Sequence, residues 1–108
     1  MTNLYPRIRT LLARASALAA ERGILPQAVA PADVPLDRPR QASHGDLATN
    51  LCFQLAKTAR TNPRALGEAF AGLVREADTE GWIAAAEVAG PGFLNLRLTP
   101  AGWQSAIA

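Results

Sequence analysis

A single cysteine, Cys52, and a single histidine, His44, exclude several classes at the outset. An ordinary structural zinc site draws about four ligands from Cys and His, so none is expected here. One cysteine makes no intrachain disulfide, which fits a reducing compartment. If His44 and Cys52 share a helix, eight residues separate them by about 12 Å along its axis, too far for a nucleophile–base pair. The phosphate-cradling patterns GxGxxG and GxxxxGK[ST] are absent, because the segment around Gly90 reads GPGFLN and lacks the third glycine and the helix after it. Apolar runs fall well short of the roughly 18 residues that span a bilayer, and the opening MTNLYPRIRT does not resemble a secretory signal. The expectation is a cytoplasmic, non-membrane chain with no catalytic residue and no metal. No internal repeat or low-complexity tract is present. Lysine is also scarce, with Lys57 alone among eleven basic residues.

What the chain does have is a globular balance. Its 108 residues are 49% apolar and 19% charged, a length and composition for one domain that buries roughly 65% of its unfolded surface. The net charge of +2 is unevenly spread. Residues 1–64 carry nine basic and four acidic side chains, whereas residues 65–108 carry two and five. Ten of the basic residues are arginine, whose planar fork pairs with phosphate and stacks on bases. A GC-rich genome produces the same bias, so composition leaves RNA binding open.

Periodicity supplies the elements. Leu4, Ile8, Leu11, Leu12, Ala15, Leu18 and Ala19 mark an amphipathic helix over 3–22, with Asn3 as cap and Gly23 as stop. VPLDRPR, residues 34–40, suits a short strand at an edge, because Pro35 and Pro39 lack ladder donors. Ser43 followed by Asp46 resembles a capping box, which predicts a second helix opening within SHGDLATN and running to about Arg60, with Leu47, Leu51 and Leu55 on its stripe. Asn62 and Pro63 form a clear helix start, followed by a face of Leu66, Ala69, Phe70, Leu73, Val74 and Ala77. Gly67 and Gly72 either weaken that helix or permit close packing.

WIAAAEVA and FLNLRL, joined by Gly90-Pro91-Gly92, read as an antiparallel hairpin. Leu94, Leu96 and Leu98 fall on one face of the second strand, Phe93, Asn95 and Arg97 on the other, about 6.5 to 7 Å apart. The fold expected is α+β in two layers, helices on one face of a small, mainly antiparallel sheet. Its open face then presents a ring, an amide and a guanidinium, a set that suits nucleic acid. Each has an alternative: Phe93 packing against Trp103, Arg97 solvated, Trp82 in core or rim. Arg7 and Arg14 share a helix face and suit an RNA backbone or plain solvent. Thr99 and Pro100 start one more helix, on which Trp103 and Ile107 find nothing left to cover them. That pattern suggests the front of a longer chain.

HGDLATN, NPR and VAGPGFLNLRL, in this order, resemble the N-terminal additional domain of arginyl-tRNA synthetase. The likeness runs essentially from end to end, dividing the chain into residues 1–98, the domain, and 99–108, the start of a linker helix toward a class I catalytic domain. It implies docking on the outer corner of arginine tRNA at the D-loop, with contacts at Phe93 and Asn95. Gly90 and Gly92 would let the RNA backbone approach. His44, Gly45, Asp46 and Asn50 match a family signature and read first as helix initiation. The synthetase signatures HIGH and KMSKS are missing, so ATP and arginine belong to the longer enzyme, and this segment should catalyse nothing. Two rivals remain: a protein-interaction or interdomain module using the open face, and a small stand-alone enzyme.

Overall fold

The computed structural model describes residues 4–39 and 45–105; the readings of Asn3, Ser43, His44 and Ile107 lie outside them. Helix α1, Leu4–Glu21, forms where the apolar spacing places it, burying Leu4, Ile8, Leu11, Leu12, Ala15 and Ala19. It closes after Glu21, with the amides of Gly23 and Ile24 donating to the carbonyls of Ala20 and Ala19. The connector that follows is tied back to α1 by Ser16, whose hydroxyl accepts from the Val29 amide at 2.8 Å and donates to the Ala13 carbonyl at 2.6 Å. A short 3-10 turn, Pro31–Asp33, precedes residues 34–39. That stretch stays at the sheet edge as foreseen, its backbone pairing with the sheet through an antiparallel bridge between Asp37 and Ala48.

The second helix begins later than the capping-box pattern suggests. Residues Leu47–Thr49 are a strand, β1, and α2 runs Leu51–Ala59. The Asp46 carboxylate, instead of closing a helix turn, accepts the Leu98 amide at 2.7 Å, while the Asp46 amide donates to the Leu96 carbonyl at 2.7 Å. Both partners lie about fifty positions away, where a local motif has no view of them. Gly45 sits against the same strand at φ +117°, and a β-carbon there would fall 2.8 Å from the Leu96 carbonyl oxygen. Gly45 and Asp46 therefore lead into a strand, with Gly45 allowing the backbones to meet. Thr49 makes the change of direction, its hydroxyl accepting the Leu51 amide and donating to the Pro35 carbonyl. Asn50 makes no side-chain cap; its side-chain Oδ1 accepts from the Gln54 side-chain amide, and its backbone carbonyl accepts the Gln54 backbone amide.

Helix α3, Pro63–Ala77, starts on the expected signal: the Asn62 side chain accepts the Ala65 amide at 2.7 Å. Asn62→Ala should cost about 1 kcal/mol, read as a lower urea midpoint at unchanged slope. Gly67 proves to be a packing glycine, with Val88 3.1 Å from where its β-carbon would lie, whereas Gly72 faces open space.

Strands β2, Ile83–Ala89, and β3, Phe93–Leu98, form the hairpin, and β1 pairs with the far edge of β3, giving an antiparallel order β1-β3-β2. Asp78 fixes the start of β2, its carboxylate accepting the amides of Trp82 and Ile83 at 2.9 and 2.8 Å. Leu94, Leu96 and Leu98 enter one core with Leu47, Leu51, Leu66, Phe70 and Val74. The fold is thus α+β, with helices on one face of the sheet. A last helix, α4, Pro100–Ser105, is held at the open end of the hairpin. The Thr99 hydroxyl donates to the Gly81 carbonyl and accepts the Gly102 amide, and the Thr99 amide donates to Trp82.

Candidate nucleic-acid interface

Register builds the open face. Residues directly opposite in an antiparallel ladder share a face, so Phe93 lies beside Ala89, Asn95 between Ala48 and Glu87, and Arg97 beside Ala85. Three of these four neighbours are alanines, which keep the face shallow and leave the Asn95 amide accessible, half-buried at the floor. Over this floor, residues 35–39 form one wall and the hairpin turn the other, enclosing a cleft of about 600 Å³. Phe93, Asn95, Ala48, Asn50, Gly90 and Pro91 line it, together with Asp37 and Arg38.

Phe93 does not pack on Trp103. It lies against Phe53 of α2, ring centroids 6.2 Å apart and planes 21° from parallel. Both rings remain open to solvent, 43% exposed for Phe93 and 48% for Phe53. Such a pair forms a preset stacking platform, since each ring restricts the other while presenting free surface. Phe53 escaped the sequence reading because α2 and β3 meet only in the folded chain. Arg64 was missed for the same reason: its guanidinium donates to the Gly90 carbonyl at 2.9 Å, from the first turn of α3 onto the hairpin turn.

The two glycines of the turn differ. Gly90, at φ +57°, is exposed and lines the cleft. Gly92, at φ +145°, is buried, and what its missing side chain admits is protein: a β-carbon would lie 2.4 Å from that of Pro63. Arg97 is exposed beside Ala85, beyond the cleft lining. Arg7 and Arg14 do share a face, but at the other end of the ladder. Arg7 lies over the Trp82 ring, 5.9 Å from its centroid, and Arg14 pairs with Glu80 at 3.7 Å. Strand rise puts that end about 17 Å from Phe93. Trp82 is accordingly a rim residue capped by a cation.

Little here favours covalent chemistry. Burial pushes the Cys52 thiol up to about 12, leaving it protonated at neutral pH. Among the described residues no three His, Cys, Asp or Glu side chains group to hold a metal, and no helix is long and apolar enough to cross a membrane.

Comparison with known proteins shows the family. The profile of the family described as Arginyl tRNA synthetase N terminal domain matches residues 6–98. Among curated relatives, the arginine–tRNA ligase of Paracoccus denitrificans is 49% identical over 97% of this chain, and those of Cereibacter sphaeroides and a Ruegeria species are 47% and 44% identical over 98% and 97%. The chain spans 18% of the length of each of these relatives. With this profile covering the whole hairpin, α2, α3 and all but the first two residues of α1, the chain belongs to the arginyl-tRNA synthetase N-terminal domain family.

Proposed function

We propose that this chain is the tRNA-docking domain of an arginine–tRNA ligase, laying its open sheet face on the outer corner of arginine tRNA at the D-loop. The observation that carries the reading is the cleft beside Phe93 and Asn95, found on the uncovered sheet face of a chain in this family. A looped-out base has a flat apolar surface and a hydrogen-bonding edge, and the cleft offers a ring for the first and an amide for the second. Docking supplies orientation: RNA held at its corner presents its acceptor end to a distant active site with less freedom to lose. ATP and arginine are substrates of the catalytic portion of the longer enzyme, working in the cytoplasm, and this domain contributes no reacting group.

Phe93→Ala and Asn95→Ala should each weaken arginine tRNA binding by roughly tenfold, as expected for losing one stacked base or its hydrogen bonds. Amide shift perturbations on adding tRNA should centre on residues 89–95 and fade with a transcript altered in the D-loop. Perturbations confined to the Arg7–Trp82 end would refute docking through this face. Salt-insensitive attachment of a protein at Phe53 and Phe93, with no response to tRNA, would assign the face to an interdomain contact instead.

A further inference from the structure

The cleft carries charge in a pattern that the stacking residues do not explain. Asn50 and Asn95 line it among mostly apolar residues, with Glu87 beside Asn95 on the same sheet face; of the cations, Arg38 stands on the 35–39 wall, and Arg64 lies outside the lining but reaches its hairpin-turn side at the Gly90 carbonyl. These come from separate segments, one before β1 and one at the start of α3, and the fold alone brings the first to the cleft wall and the second to the turn. Arg64 is also held in place. One of its terminal nitrogens is used on the Gly90 carbonyl, which fixes the guanidinium over the turn, and a guanidinium has five N–H donors in all. A flexible surface arginine loses rotamer entropy on gripping a phosphate; one already tethered loses less. The exposed carboxylate of Asp37, next to Arg38 on the same wall, acts in the opposite sense and disfavours an anion beside it.

We infer that Arg38 and Arg64 form a two-sided phosphate clamp, gripping the backbone on either side of a single nucleotide whose base lies on Phe93. The ligand class is a single-stranded RNA segment, entered base first, its phosphates held by the two arginines. This deepens the docking reading and rests on it, but it makes a separate demand: two backbone charges are neutralised at this cleft, and the cations at the Trp82 end are not needed for that.

The test is the salt dependence of arginine tRNA binding to this 108-residue chain, followed by fluorescence anisotropy. Each lost phosphate contact on a single strand makes the slope of log affinity against log salt shallower by about 0.7. Arg38→Gln and Arg64→Gln should each show that change, with roughly tenfold weaker binding at low salt. Arg64→Lys should recover the slope, because it restores the charge without the fork that reaches Gly90. Arg75→Gln, on α3 but about 16 Å further along the helix, should leave the slope unchanged. Phe93→Ala should weaken binding at unaltered slope. An unaltered slope in both arginine variants, with Phe93→Ala still weakened, overturns the clamp and leaves base docking intact. If the unsubstituted chain fails to bind tRNA at low salt, both readings fall. Circular dichroism of each variant checks that the helices are retained; an Arg64→Gln chain that has lost them is replaced by the Lys comparison, where an unrecovered slope counts against the clamp.

Discussion

Replacing Gly92 with alanine is expected to lower the free energy of unfolding by about 3 kcal/mol, from left-handed backbone strain and overpacking together. The backbone there has φ +145°, and the added carbon would meet the β-carbon of Pro63 at 2.4 Å and its carbonyl carbon at 2.9 Å. Neither neighbour moves easily. Pro63 is rigid and opens α3, and Asn62 before it is engaged with the Ala65 amide. Relief would have to come from lifting the hairpin turn off the helix, which would also displace Gly90 from Arg64. Gly90→Ala is the internal comparison: with φ +57° and nothing nearer than the Phe93 ring at 3.9 Å, it should cost only about 1 kcal/mol. Urea unfolding of both variants measures the difference. Equal losses would mean that the contact with Pro63 contributes nothing and that the turn conformation alone matters.

Phe70→Ala should be more damaging still, by about 4 kcal/mol, the usual range for deleting a buried ring. Phe70 is the largest fully buried side chain among the described residues and sits on α3, the helix that lies against both α1 and the hairpin, so the cavity opens between the layers. Against a total stability of roughly 5 to 15 kcal/mol, the loss removes a large part of what holds a domain this small. Thermal unfolding checks it: the midpoint should drop by some 15 °C or more. A drop of a few degrees would show that α3 repacks without the ring and is not the centre of the core. Because α3 also carries Arg64 and the seat for Gly92, a damaged core should weaken RNA docking together with stability.

The features that could be read from the sequence are those whose causes are local. Asn62 and Pro63 start a helix because cap and proline act within one turn, and FLNLRL reads as a strand because alternation is a property of the strand itself. The error at SHGDLATN has the opposite origin. Asp46 offers an acceptor that a nearby helix amide or a distant strand amide satisfies equally well, and the Leu98 amide takes it. The candidate site divides the same way. Phe93 and Asn95 were visible through the alternation of their own strand. Phe53 meets the Phe93 ring, Arg38 the cleft wall and Arg64 the hairpin turn from three other segments, and no spacing along the chain links them. Arg7 and Arg14 shared a helix face as expected, yet the hairpin's length carries that face to the wrong end for the cleft.

The mounting of α4 bears on how this domain would respond to force. Thr99 joins β3 to α4 and also holds the Gly81–Trp82 corner that feeds β2, so tension applied beyond Ser105 arrives at the point where the two strands of the hairpin diverge. Loading there peels the ladder from its end, rung by rung, instead of shearing all its hydrogen bonds together. The first resistance is the Thr99 junction and the lodging of Gly102 against the Trp82 carbonyl, where a β-carbon would lie only 2.6 Å away. Peeling that starts at Trp82 reaches the turn beside Phe93 last, so a tug on the chain after α4 would spend itself at one end of the sheet before it disturbed the cleft at the other.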